Sequence, residues 1–127
     1  MNADERRLDD ITQKVIGCAF AVSNVLGAGF VEKVYENALA LELRSAGLKV
    51  VQQHEMVVIY RDAIVGEFVV DLLVADEVLV ELKAVRSLDD LHVSQCMNYL
   101  KATGLKVCLL LNFGKTRIEV KRTVLGF

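Results

Sequence analysis

Phe68-Val-Val-Asp71-Leu-Leu-Val74, then Ala75-Asp76-Glu77, then Val78-Leu-Val-Glu81-Leu-Lys83-Ala-Val85 is the stretch on which the fold turns. Its two apolar runs are strand-like, yet each carries charge where the interior of a sheet should be aliphatic. An unpaired buried carboxylate or ammonium is costly, so Asp71, Glu81 and Lys83 need one another, a metal, or a reacting partner. An antiparallel hairpin about Asp76, with residues 75–77 as its loop, places Asp71 directly opposite Glu81. Lys83 then faces Val69 on the same side of the sheet, because residues two apart share a face. Like charges so opposed destabilise a hairpin, and a divalent cation between them removes the penalty. Shifting the register by one residue would set Asp71 against Leu82 and dissolve the cluster. The alternative is a buried ion-pair network neutralised by Lys83, although two acids and one lysine leave a net negative charge.

Working outward, apolar residues at Ile11, Val15, Cys18, Ala19, Val22, Val25 and Leu26 form a helical stripe from about Asp9. Residues 1–8 are expected to be a frayed end. Gly27-Ala28-Gly29 breaks that helix, and a second runs from about Val31 to Ser45, with Gly47 as the candidate C-cap. Strands follow over roughly Val50–Tyr60, Ile64–Val74 and Val78–Val85, the first turn being Arg61-Asp62-Ala63. Leu88–Thr103 reads as a helix with Ser87 as N-cap and Gly104 as its stop. Lys106–Phe113 is a fully apolar strand suited to a sheet interior, and Arg117–Val124 is the last strand. The order ααβββαββ predicts an α/β sandwich with a mixed central sheet, built as a single domain over 1–127.

Composition narrows the class. Apolar residues make up 54% of the 127 residues, which suits elements buried on more than one face or a self-association surface. No apolar run is long enough to span a bilayer, and the charged start Met1-Asn-Ala-Asp-Glu-Arg-Arg7 lacks a signal peptide's apolar region. The expectation is a cytoplasmic protein without a membrane association. Cys18, Cys96 and Cys108 form no CxxC pair, and His54 and His92 are the only histidines, which argues against a zinc or iron–sulfur site. The net charge of −2 does not announce a nucleic-acid binder. Residues 101–127 nonetheless hold six basic residues against one acid, either a solvated strand face or an edge that contacts phosphate.

The charged hairpin suggests a chemistry. The Asp71 and Glu81 carboxylates with the Leu82 carbonyl make a partial octahedral oxygen set suited to Mg²⁺ or Mn²⁺, water completing the shell. A cation so held acidifies a bound water and neutralises phosphate charge. Lys83 would orient that water and stabilise charge growing in the transition state. Without metal the two acids should share a raised pKa. Glu32, at the start of the second helix, either complements the helix dipole or aims at the metal. Tyr35 reads as a core aromatic with a tethered hydroxyl or as a substrate contact, and Gly29 as a backbone conformation that a Cβ disfavours. Gln95 and Tyr99 lie four apart on one helix face, with Asn98 extending that polar edge and His92 one turn earlier. They either bond neighbouring backbone or hold substrate and water beside the metal.

With Gly29-x-x-Glu32-x-x-Tyr35, Asp71, Glu81-Leu-Lys83 and Gln95-x-x-x-Tyr99 in this order, the chain resembles the GxxExxY proteins of the PD-(D/E)XK nuclease superfamily. The resemblance runs from about Ile11 to Val124 and includes Asn37-Ala38-Leu39, Asn98-Tyr99-Leu100 and Leu111-Asn112-Phe113-Gly114. It implies a restriction-endonuclease-like three-layer sandwich and a phosphodiesterase site. Asp71 and Glu81 would hold Mg²⁺, with Mn²⁺ able to substitute, and Lys83 would assist the water. Glu32 corresponds to the superfamily's first-helix acid, and Gln95 and Tyr99 match the Gln-x-x-x-Tyr element of RecB-like nucleases. The RecB-like branch with an iron–sulfur cluster needs four cysteines, which this chain lacks. Relatives often carry an acid and a histidine on the first helix and a proline in the glycine turn, where this chain has Ala21, Ser23 and Ala28. The expected activity is Mg²⁺-dependent hydrolysis of DNA, or of RNA. The alternative is a non-catalytic module that binds nucleic acid or protein. A domain this small should read sequence weakly, and cutting both strands would call for a homodimer.

Overall fold

Eight elements form along the chain in the computed structural model, which describes residues 1–126. They are α1 (Ala3–Leu26), α2 (Glu32–Ser45), β1 (Val50–Tyr60), β2 (Ala63–Val74), β3 (Val78–Lys83), α3 (Asp90–Thr103), β4 (Val107–Asn112) and β5 (Glu119–Val124). The order is the expected ααβββαββ, and two boundaries move. Helix α1 starts at Ala3 rather than near Asp9, so the frayed end expected over 1–8 is not what forms. Asn2 caps it by accepting the Glu5 N–H at 2.8 Å, Leu8 is buried, and Arg7 reaches Glu77 at 2.7 Å. Helix α3 is capped by Asp89 and not by Ser87. The Asp89 carboxylate accepts the His92 N–H while the His92 ring accepts the Asp89 N–H, a reciprocal capping box.

The five strands form one sheet in the order β1-β2-β3-β4-β5, antiparallel except for β3 and β4, which run parallel across the α3 connection. Both central strands are apolar on each face because helices cover both faces. On one side α1 and α2 pack Val15, Tyr35, Leu39 and Leu43 onto Leu72, Val80, Leu82, Leu109 and Leu111. On the other, α3 sets Cys96, Tyr99 and Leu100 onto Val70, Leu73, Leu79, Cys108 and Leu110. The result is helix, sheet, helix. Residues 75–77 do form the loop between β2 and β3, pairing Val74 with Val78, Leu73 with Leu79 and Leu72 with Val80. The far end of the β1–β2 hairpin extends past the helices and leaves Ile59, Tyr60, Ile64 and Val65 each about 60% exposed.

Among the described residues no helix is long and apolar enough to cross a membrane. Part of the basic surplus near the C-terminus is used internally, since Arg122 pairs with Asp9 at 3.6 Å.

Candidate functional site

The β2–β3 ladder stops at Leu72–Val80, and Asp71 and Glu81 hold the next facing position, as the loop length required. Here side chains take over from backbone carbonyls. The Asp71 N–H donates to Glu81 Oε1 at 2.9 Å, and the Leu82 N–H donates to Asp71 Oδ2 at 2.8 Å. Each acid is thereby clasped to the opposite strand. The expected Lys83–Val69 pair does not form, because these carboxylates occupy the amides that would continue the ladder. Lys83 aligns instead with Asn112 of β4, and its carbonyl accepts the Phe113 N–H at 2.8 Å.

Burial and mutual repulsion dominate the electrostatics. Glu81 is 6% exposed, and burial followed by the charge of Asp71 pushes its carboxyl up to about 7. Burial also raises Asp71, with the Leu82 amide opposing it in part. Lys83 acts on both acids only at a distance. It is half-buried and enters no ion pair among the described residues, so neither acid has a direct partner in it.

Two facing, desolvated carboxylates with little compensation are a donor set that fits a hard divalent cation. Among the described residues no three His, Cys, Asp or Glu side chains gather closely enough to hold a metal unaided. A cation held here would draw on Asp71 and Glu81, and on backbone carbonyl or water for the rest, the pattern of Mg²⁺ rather than of structural zinc.

The sequence matches the PD-(D/E)XK nuclease superfamily over residues 9–123. The chain belongs to that superfamily. Its fold is also that of the crystal structure of an alkaline exonuclease from Laribacter hongkongensis, with a TM-score of 0.50 at 14% identity, covering 85% of this chain and 76% of that one. At such identity the likeness is one of architecture, and it confirms the restriction-endonuclease-like sandwich. No curated protein matches the sequence.

Within this superfamily member the remaining expected residues fall into different places. Glu32 is exposed at the start of α2 and makes only a minor contribution to raising Glu81. One turn later, Glu36 is 3% exposed and accepts Lys33 Nζ at 2.9 Å, Gln52 Nε2 at 2.7 Å and Gln53 Nε2 at 2.6 Å. Gln53 also reaches Asp71 Oδ1 at 3.4 Å. Glu36, Gln52 and Gln53 were missed from the sequence. Their signal was an adjacent polar pair in an otherwise apolar strand start, and an acid one turn after Glu32 on the same helix face.

Tyr35 is fully buried, so its reading as a substrate contact is corrected: its hydroxyl donates to Gly27 O at 2.6 Å and accepts the Phe30 N–H at 3.2 Å, and its ring stacks on Phe113. This ties down the glycine turn, in which Gly29 has φ +117°. Tyr99 is buried against the Phe68 ring at 4.7 Å, and its hydroxyl pKa is raised by burial and then by the charge of Glu81. Gln95 and Asn98 line an open hollow of about 400 Å³ on α3 together with His92, Ser94 and Leu91. None of these side chains hydrogen-bonds to the acids. Finally, buried Asn112 accepts the N–H groups of Val85 and Gly114 and donates to Val85 O and Glu119 Oε1, fixing the chain just beyond Lys83.

Proposed function

We propose that this PD-(D/E)XK superfamily member, of the GxxExxY kind, is a Mg²⁺-dependent nuclease that hydrolyses phosphodiester bonds in DNA, with RNA the less favoured substrate and Mn²⁺ able to substitute. The observation that carries the reading is the clasped Asp71–Glu81 dyad with an ammonium beside it that neither acid pairs. A fold without a site gains nothing from two buried acids that face each other in its sheet. Asp71 and Glu81 would hold the cation, with the Leu82 carbonyl a third donor and Glu32 able to contribute through water. When bound, that ion supplies an acidified water and neutralises phosphate charge. The Leu82 and Asp71 amides fix both carboxylates before any ligand arrives. Lys83, on the strand that carries Glu81, orients the attacking water and stabilises charge gathering on the phosphate in the transition state. Tyr99 walls the acids from the α3 side and limits water there. Gln95 and Asn98 offer amides to a strand lying along the α3 hollow, with His92 at its margin.

Cutting two strands requires two copies, and the exposed apolar end of the β1–β2 hairpin offers the surface for a homodimer. Three free cysteines, two of them buried, suit a reducing, cytoplasmic setting.

The test is cleavage of supercoiled plasmid, single-stranded DNA and structured RNA with Mg²⁺ or Mn²⁺, wild type beside Lys83→Ala. Loss of activity by about 10²–10³-fold in the variant, and complete loss in chelator, is expected. Wild-type protein that binds nucleic acid and cuts none of these substrates would instead make the chain a binding module.

A further inference from the structure

Among the described residues five other than glycine have positive φ, and four of them form the two hairpin loops: Arg61 and Asp62, Ala75 and Asp76. The fifth, Gln53 at φ +53°, lies inside strand β1. The ladder skips it, pairing Gln52 with Leu72 and His54 with Val70 but leaving Gln53 and Asp71 unpaired. Side-chain alternation slips at the same place. Val70 packs beneath α3 whereas Leu72, two residues on, packs beneath α1 and α2. In an extended strand Gln52 and Gln53 would point to opposite faces. Here both amides converge on the Glu36 carboxylate, at 2.7 and 2.6 Å, and the second also reaches Asp71 at 3.4 Å. The left-handed turn at Gln53 is what permits that convergence.

We infer that Gln53 is a positioning residue for the cation site: anchored by buried Glu36, its amide fixes Asp71 Oδ1 while the Leu82 N–H fixes Oδ2. Asp71 is then held from both sides in one orientation, each oxygen keeping a lone pair for a cation. Glu36 is secured in turn by Lys33 and Gln52, so the set runs from α2 through β1 to β2. A side chain held at a strained backbone inside a strand points to a site and not to packing. This inference rests on the proposed cation site.

Two variants of the full chain separate position from stability. Gln53→Gly relieves the left-handed strain and deletes the amide. Gln53→Asn tolerates the same backbone but is one methylene too short to span Glu36 and Asp71. Mn²⁺ affinity by calorimetry, melting temperature in chelator and plasmid cleavage are read together. The expected result is Mn²⁺ binding about tenfold weaker in both variants, with the melting temperature of Gln53→Gly at or above that of wild type. Variants that bind Mn²⁺ as tightly as wild type overturn the role of Gln53 while leaving a cleaving wild type a nuclease. Wild type that binds Mn²⁺ but cuts nothing defeats the nuclease reading, and weaker binding by the variants still upholds the placement. Wild type that binds no Mn²⁺ overturns both.

Discussion

Glu81→Gln in metal-free protein isolates the energy stored in the dyad. The amide keeps an oxygen for the Asp71 N–H, which Glu81 Oε1 accepts at 2.9 Å, and removes the charge facing Asp71. In the wild type the Glu81 carboxyl rises from 4.5 to about 7, mostly through burial and then through Asp71. The folded state therefore holds this proton more tightly than the unfolded state does. The stability that comes with it is complete below about 4.5, declines as the pH climbs, and is gone once the pH passes about 7. A rise of that size corresponds to about 3 kcal/mol. Relative to Glu81→Gln, wild type should be no less stable at pH 4.5 and about 3 kcal/mol less stable at pH 8, or roughly 10 °C in melting temperature for a chain of this length. Urea melts of both proteins in chelator at several pH values give the difference directly, and titrating groups outside the dyad cancel. Saturating Mn²⁺ should raise the wild-type melting point at pH 8 and leave the variant nearly unmoved. If Glu81→Gln is less stable than wild type at pH 8 in chelator, the dyad is not a strained cation site and the reasoning fails.

Gly114→Ala places a Cβ into the backbone N and O of Val85, which cannot move aside as a flexible side chain could. A loss of about 3 kcal/mol in urea unfolding is expected, and a variant within about 0.5 kcal/mol of wild type would show that the close approach is not needed. The hairpin end that leaves Ile59 and Ile64 about 60% exposed is expected to pair with a second copy, so sedimentation should show a dimer at micromolar concentration and a monomer for Ile59→Lys; a monomeric wild type would refute that.

How far the sequence could be read depended on the range of the interaction. The facing of Asp71 and Glu81 follows from loop length and a period of two, both local, and the structure has that register. The α/β order and the buried β4 strand followed from equally local patterning. Helix boundaries were less legible because caps compete: Ser87 and Asp89 are both good N-caps, and Asp89 prevails by closing a reciprocal pair with His92. The inner support of the site was not legible. Glu36 is buried because Gln52 and Gln53, 16 and 17 residues away, arrive at its oxygens, and no periodicity predicts φ +53° within a strand. Asn112 was quoted only as part of a motif, since its four bonds depend on how β3 leaves the sheet.

The clasp also explains why the site can exist inside a sheet. Strands β2 and β3 pair along their apolar lengths to build the core, yet their ladder ends at Leu72–Val80, where the acids begin. Asp71 and Glu81 accomplish the change by accepting each other's strand amides, so the Asp71 and Leu82 N–H groups find acceptors as the ladder ends. The same act draws both carboxylates into partial burial, which those amides offset only in part. Lys83 offsets this only as a lesser influence on each acid, while the backbone beyond it is held by other bonds: its carbonyl takes the Phe113 N–H, and Asn112 grips Val85 two residues later. Its ammonium forms no ion pair with either acid. The raised acids are therefore a consequence of where the backbone hydrogen bonds go.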